Sequence, residues 1–335
     1  ALDNGVGQTP AMGWSSCNVF AGDIDEGKIN TTIDAMAKLL PFGYEYVNID
    51  DNWMLPTRDA NGNLQPRLDK FPRGIKPLVD YAHSKGLKFG IYSAHGSRTC
   101  MGNAASGGSA PHFTQDANLF ASWGVDYLKF DSCGGYPSNY TDVAEQYREY
   151  AAMRDALNAT GRPIYYSICE IISVPENRTV AWESPSRCGH TSSYNVLAWY
   201  NQKDLYNPTK LANSFLIEWV NNKNAFNDRN CSGWLNNLDS QQDLTLDELS
   251  GPGHWNDNDM LSVGCNGDPE GRIPCQGNES LVEQRAQFAL WCMQASPLIL
   301  GNDVRSMTAD VEKIVTNKEM IALNQDPLGR RAALV

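Results

Sequence analysis

The chain has 335 residues and a mass of 37.0 kDa, with 41% hydrophobic residues, 28 Gly and 17 Pro, which excludes a disulfide miniprotein or a disordered tail and leaves two ordinary domains or one large α/β barrel. With 39 acidic against 27 basic residues the net charge is −12, a balance that repels phosphate backbones and anionic lipid. Even the most apolar stretch, Phe288 to Leu300, is broken by Gln294, Ser296 and Pro297, so neither a nucleic acid nor a membrane is an expected partner.

Short β-branched or aromatic runs alternate with amphipathic segments. Glu26 to Leu40 carries Ile29, Ile33, Met36, Ala37 and Leu40 at helical spacing. Strands are predicted over Tyr44 to Asp51 and Leu87 to Ser93, then Tyr127 to Cys133. Asp142 to Leu157 reads as a second amphipathic helix, followed by strands over Pro163 to Glu170 and Pro297 to Asp303. Gly43, Gly86, Gly124 and Gly161 each precede a strand, where a helix needs a stop. The repeated order helix, Gly, strand, with no linker-like interruption, predicts a single (β/α)8 TIM barrel over residues 1–335.

Carboxylates gather at the predicted strand ends: Asp50 and Asp51, Asp131, Glu170, Asp257 and Asp259 after Trp255, and Asp303. Strand C-termini share one face of a barrel, so these groups should converge at its mouth, where a fold has no structural need for them. The five His show no metal-ligand spacing and no calcium loop is present, so neither a metal nor another cofactor is expected. Sugar recognition fits better. Carboxylates accept hydrogen bonds from vicinal hydroxyls, Trp14, Trp53 and Tyr92 offer apolar faces to a pyranose, and paired carboxyls can hydrolyse a glycoside. Asp131, with Lys129 two residues before it to keep it ionised, suits a nucleophile.

The start Ala1 to Gly5 reads as a processed N-terminus. Nine Cys and six N-x-[ST] sequons, at Asn30, Asn139, Asn158, Asn177, Asn230 and Asn278, point to a glycosylated, disulfide-bearing protein that is secreted or held in an endomembrane lumen: lysosome, vacuole or cell wall.

At its motifs the chain resembles glycoside hydrolase family 27, the α-galactosidase and α-N-acetylgalactosaminidase family. The resemblance is carried by Thr9-Pro10-Ala11-Met12-Gly13-Trp14, Gly43-Tyr44-Glu45-Tyr46 with Ile49-Asp50-Asp51, and the run His83 to Tyr92. It continues through Leu128-Lys129-Phe130-Asp131, Gly251-Pro252-Gly253, Trp255-Asn256-Asp257, Asp259-Met260-Leu261 and Asn324 to Gly329. It implies a (β/α)8 barrel followed by a C-terminal antiparallel β-domain, and the chain stops at Val335, where that domain would begin. It also implies retaining hydrolysis of terminal α-galactosides with Asp131 as nucleophile. Trp14, Asp50, Asp51, Tyr92, Lys129, Glu170 and Asp259 would line the pocket for a galactose-containing glycan. Implied disulfides join Cys100 to Cys133 and Cys169 to Cys188, with Cys265 and Cys275 closing a local loop. Cys17, Cys231 and Cys292 are left over: the usual partner of a Cys near position 17 would follow Asp51, where this chain has Asn52, and Cys292 suits a buried free thiol.

One departure matters. Active members carry a Trp-Arg pair and then the general acid/base Asp after the counterpart of Cys188, whereas Cys188 to Leu197 here contains neither Arg nor Asp. Ile171 also replaces a usual Trp, and an Asn-rich insertion spans about Asn221 to Gln242. A positioned acid contributes about 10² to 10⁴ in rate. Two readings follow: an α-galactosidase-type hydrolase whose acid is unassigned, with His190, Glu183 and Asp204 as candidates, or an inactive secreted glycoprotein that binds sugar or assembles with protein partners. Glu170 favours galactose over its N-acetylamino analogue, with the small Ser173 weighing the other way, and the pair Asp50, Asp51 argues against a pentopyranose.

Overall fold

The computed structural model describes residues 4–108, 110–131, 143–169, 214–216, 250–265 and 279–332. Eight strands form one parallel sheet: β1 (Met12–Ser15), β2 (Tyr46–Asn48), β3 (Lys88–Ala94), β4 (Tyr127–Asp131), β5 (Tyr165–Cys169), β6 (Ser214–Leu216), β7 (Trp255–Asp257) and β8 (Leu298–Leu300). They follow one another in chain order from β1 to β7, with β8 beside β1. A parallel bridge between Leu261 and Leu300, with Leu261 N–H donating to Ile299 O at 2.8 Å, joins the two ends. The parallel order and this bridge from the segment after β7 to β8 fit the barrel that the repeated helix-strand order predicts.

Eight helices accompany the strands in the described residues: α1 (Cys17–Phe20), α2 (Glu26–Met36), α3 (Lys76–Ser84), α4 (Phe113–Trp123), α5 (Val143–Ala159), α6 (Leu281–Met293), α7 (Ala309–Val315) and α8 (Lys318–Asn324). Local chemistry sets their ends. The Asp25 side chain accepts from Lys28 N at the start of α2, and Ser280 with Glu283 forms a reciprocal capping box on α6. Gly124 closes α4 in the left-handed region, φ 84°, where a side chain would be strained. Among the described residues no helix is long and apolar enough to cross a membrane.

Alternation along each strand sorts side chains into two cores. Val47, Ile49, Leu128, Phe130, Tyr166 and Ile168 pack outward against the helices. Tyr46, Tyr127 and Tyr165 fill the barrel floor, the last two stacked with centroids 5.0 Å apart. Small residues make room for this inner layer: a Cβ on Gly90 would lie 1.9 Å from Asn48 Oδ1. The same alternation, two residues further along, brings Asn48 and Asp50, Lys129 and Asp131 toward the C-terminal mouth.

Three strand expectations were longer than the hydrogen-bonded ladders, which cover only Tyr46–Asn48, Tyr165–Cys169 and Leu298–Leu300. After Asn48 the chain continues as a loop that carries Asp50 and Asp51. Of the four glycines expected as helix stops, all have positive φ, from 73° at Gly161 to 98° at Gly43.

Candidate active site

Asp131 ends β4 and is 3% exposed. Its Oδ2 accepts a 2.7 Å hydrogen bond from the Tyr92 hydroxyl on the adjacent strand β3, and Cys100 Sγ lies 3.3 Å away. Register fixes this contact, since Tyr92 pairs with Lys129 and Ala94 with Asp131. The Tyr92 phenol titrates well above its ordinary range because it is buried and faces Asp131, Asp50 and Asp51, so it remains a donor.

The Lys129 ammonium donates to Asp50 Oδ2 at 3.0 Å and lies 5.6 Å from the Tyr92 ring centre. Asp50 Oδ1 accepts from Asp51 N at 2.9 Å, and Asp50 N donates to Ser16 Oγ. Asp51 is buried and held by its surroundings: Oδ2 accepts from Met101 N at 2.8 Å, and Oδ1 from Asn52 N at 2.6 Å and Asn103 Nδ2 at 3.2 Å. Burial pushes the Asp51 carboxyl above its ordinary pKa, and these hydrogen bonds pull partly against that rise. Across the mouth, Asp259 adopts φ 74°, its N–H donating to Asp257 Oδ1 at 2.9 Å and its Oδ1 accepting from Met260 N at 2.6 Å.

A small cavity of about 20 Å³ is lined by Ser15, Asn48, Asp50, Lys129, Ser167 and Asp259 among others. Its walls are acceptor-rich, with one ion pair between Lys129 and Asp50, which suits a neutral, hydroxyl-bearing ligand.

The structure thus brings together Asp50, Asp51, Tyr92, Lys129, Asp131 and Asp259. Two aromatic expectations need correction. Trp14 is fully buried, its indole N–H donating to Asn302 O at 2.8 Å and its ring edge-on to Phe20. It lies on the outward phase of β1, with Gly13 and Ser15 on the inward one. Trp53 is equally buried, donating to Tyr92 O and packing against Phe120 and Trp123. Asp303 also leaves the carboxylate ring, because it folds back onto Arg305 at 2.7 Å and caps a 3-10 turn.

Glu170, Glu183, His190, Asp204 and the insertion 221–242 lie outside the described residues, as do Cys133, Cys188, Cys231, Cys275 and the sequons Asn139, Asn177, Asn230 and Asn278. Of the remaining sequons, Asn30 is half-buried on α2 and Asn158 exposed at the end of α5. Cys100 and Cys265 are disulfide-bonded, while Cys17 and Cys292 are free thiols. Cys17 was not expected at the site. It follows Ser16 directly and feels the charges of Asp50, Lys129, Asp259 and Asp131; burial above all, then those carboxylates, holds its thiol protonated. Asn103 and the Met101 amide were also missed, because they reach Asp51 through a loop whose path no periodicity encodes.

Comparison with known proteins agrees with this geometry. The family model described as alpha galactosidase A matches residues 9–326. Alpha-galactosidase 3 of Arabidopsis thaliana is 41% identical over 98% of this chain and 63% of its own length, so the chain spans less than two thirds of that relative. Alpha-galactosidase A of Cellvibrio japonicus is also 41% identical, over 98% of this chain and 70% of its own. Among solved structures, alpha-galactosidase I from Mortierella vinacea superposes with a TM-score of 0.76 at 33% identity, covering 99% of this chain and 76% of that one. A Saccharomyces cerevisiae alpha-galactosidase with raffinose gives 0.76 at 31% identity, covering 98% and 67%. The chain belongs to the alpha-galactosidase family of glycoside hydrolases, family 27.

Proposed function

We propose that the chain is the catalytic barrel of a retaining α-galactosidase that acts on terminal α-galactosides. The observation that carries this reading is the Tyr92 to Asp131 hydrogen bond, with the Lys129 ammonium 5.6 Å from the Tyr92 ring and paired to Asp50 in a pocket that Asp259 also lines. In this role Asp131 attacks the anomeric carbon and forms a glycosyl ester while the leaving oxygen takes a proton; water then releases the sugar. Tyr92 orients Asp131 through its hydrogen bond. Asp50, Asp51 and Asp259 receive sugar hydroxyls, Lys129 holds Asp50 in place, and Glu170 joins them on sequence grounds. The sequons and disulfide-bonded Cys100 and Cys265 support a secreted or luminal glycoprotein, with Cys100 paired to Cys133, Cys169 to Cys188 and Cys265 to Cys275.

The proton donor is the open part. Because Cys188 to Leu197 lacks an Asp, a second reading has the barrel bind galactose without turnover. Parallel assays on a nitrophenyl α-galactoside and on melibiose separate the possibilities. A rate on the nitrophenyl substrate that exceeds the melibiose rate by about 10² or more indicates a nucleophile working without a strong acid. Comparable rates indicate a relocated acid. Galactose binding by calorimetry with neither substrate cleaved would establish the non-catalytic reading.

A further inference from the structure

We propose that Asn52 is a positioning residue that sets the Asp51 carboxylate by clasping three loops of the barrel mouth together, an inference that rests on the α-galactosidase reading for the role of Asp51. Asn52 sits immediately after Asp51 with φ 75°, a left-handed conformation that asparagine tolerates better than most residues with a side chain. That conformation aims its backbone N–H at Asp51 Oδ1, 2.6 Å away.

Its side chain makes three further bonds, each to a different segment. Nδ2 donates to Gly22 O at 2.8 Å in the loop leading into α2. Oδ1 accepts from Arg67 Nη1 at 2.9 Å in the loop between β2 and α3. The same oxygen accepts from Asn103 Nδ2 at 3.3 Å, in the loop between β3 and α4. Asn103 is 3% exposed and its amide also reaches Asp51 Oδ1 at 3.2 Å, so one amide group bridges the clasp and the carboxylate. The neighbouring Met101 N–H supplies the bond to Asp51 Oδ2 from the same loop.

The fit is close on every side. A Cβ on Gly22 would lie 2.8 Å from Met101 Sδ and 2.9 Å from Asn52 Nδ2, and Lys70 Nζ secures the same Gly22 carbonyl at 2.6 Å. Every donor that fixes Asp51 therefore belongs either to Asn52 or to a loop that Asn52 touches. The Thr99 side chain, in the same loop as Met101 and Asn103, adds a fourth hydrogen bond, so the orientation of the Asp51 carboxylate follows that of the loops. The clasp determines how the carboxylate is presented at the mouth.

The variants that separate this role from mere stability are Asn52→Gly, which accepts positive φ but lacks the side chain, and Asn103→Ala, alone and combined. Asn52→Gly should raise KM for a nitrophenyl α-galactoside roughly tenfold, the size of one lost hydrogen bond to a charged group, with kcat within about twofold. The double variant should lose less than the sum of the two single losses, because the Asn103 amide is shared between Asn52 and Asp51. Carbon-13 NMR titration of the Asp51 carboxyl, which needs no turnover, should show its pKa rising further in Asn52→Gly. An unchanged KM and an unchanged Asp51 titration, with only the melting temperature lowered, would overturn the proposal. Wild-type protein that neither binds galactose nor turns over substrate would instead overturn the α-galactosidase reading, and the titration would still decide the role of Asn52.

Discussion

Tyr92 and Asp131 meet across adjacent parallel strands, the phenol donating to the carboxylate Oδ2 at 2.7 Å with both side chains almost wholly buried. A charge-assisted bond of this kind stabilises the ionised form of the acid. Tyr92→Phe removes it without changing the volume of the ring. The expected result is a loss of roughly ten- to hundredfold in kcat/KM on a nitrophenyl α-galactoside. Steady-state kinetics of the two proteins measures the effect.

Lys129 and Asp50 form a pair with side chains only 14% and 7% exposed. Lys129→Met leaves a buried carboxylate without its cation, which typically costs about 3–5 kcal/mol. Adding Asp50→Asn removes the uncompensated charge, so the double variant should regain most of the stability in urea denaturation while remaining unable to bind galactose tightly. Equal stability of the single and double variants would show that the pair is not energetically coupled.

Asp51 couples binding to pH in a defined direction. Burial raises its folded-state pKa, so the stability it contributes is full below its unfolded pKa and is lost as pH rises through the raised folded value. Sugar binding needs the carboxylate and runs the other way. As pH falls through that raised value, galactose affinity measured by calorimetry should decline while this group's contribution to stability grows. Asp51→Asn should flatten the affinity dependence in that window.

Arg58 supports the frame from behind. Its guanidinium donates to both oxygens of Asp116 at 2.7 Å and to Ala105 O and Gly62 O, with the Asp116 side chain fully buried. Arg58→Ala is expected to cost about 3–5 kcal/mol in equilibrium unfolding, chiefly by stranding Asp116. It should also loosen the loop that carries Asn103 and Met101, raising KM in protein that remains folded.

Much of this was legible in the sequence where local pattern and chemistry coincide. Asp50, Asp131 and Asp259 were found because carboxylates at the ends of apolar strands have no structural reason to be there. The inward phase of Tyr127, Lys129 and Asp131 follows from simple alternation. The same rule, applied to Gly13, Trp14 and Ser15, places Trp14 outward, but the strand is only four residues long and its aromatic residue suggested a sugar platform instead. Asp303 was misassigned because strand end alone does not say whether a nearby cation, here Arg305, claims the carboxylate first. Asn52, Arg67 and Asn103 were invisible as a group: they lie at distant points of two loops, and meet Gly22 of a third only once the strands are side by side.

The central claim is that Asp131 is the nucleophile, and the most direct measurement is mass spectrometry of peptides from protein treated with a fluorinated galactosyl fluoride that traps a glycosyl ester. The account predicts a galactosyl adduct on the peptide containing Asp131, absent in Asp131→Asn. An adduct on another carboxylate, or hydrolysis of a nitrophenyl α-galactoside that persists in Asp131→Asn at the wild-type rate, would contradict it.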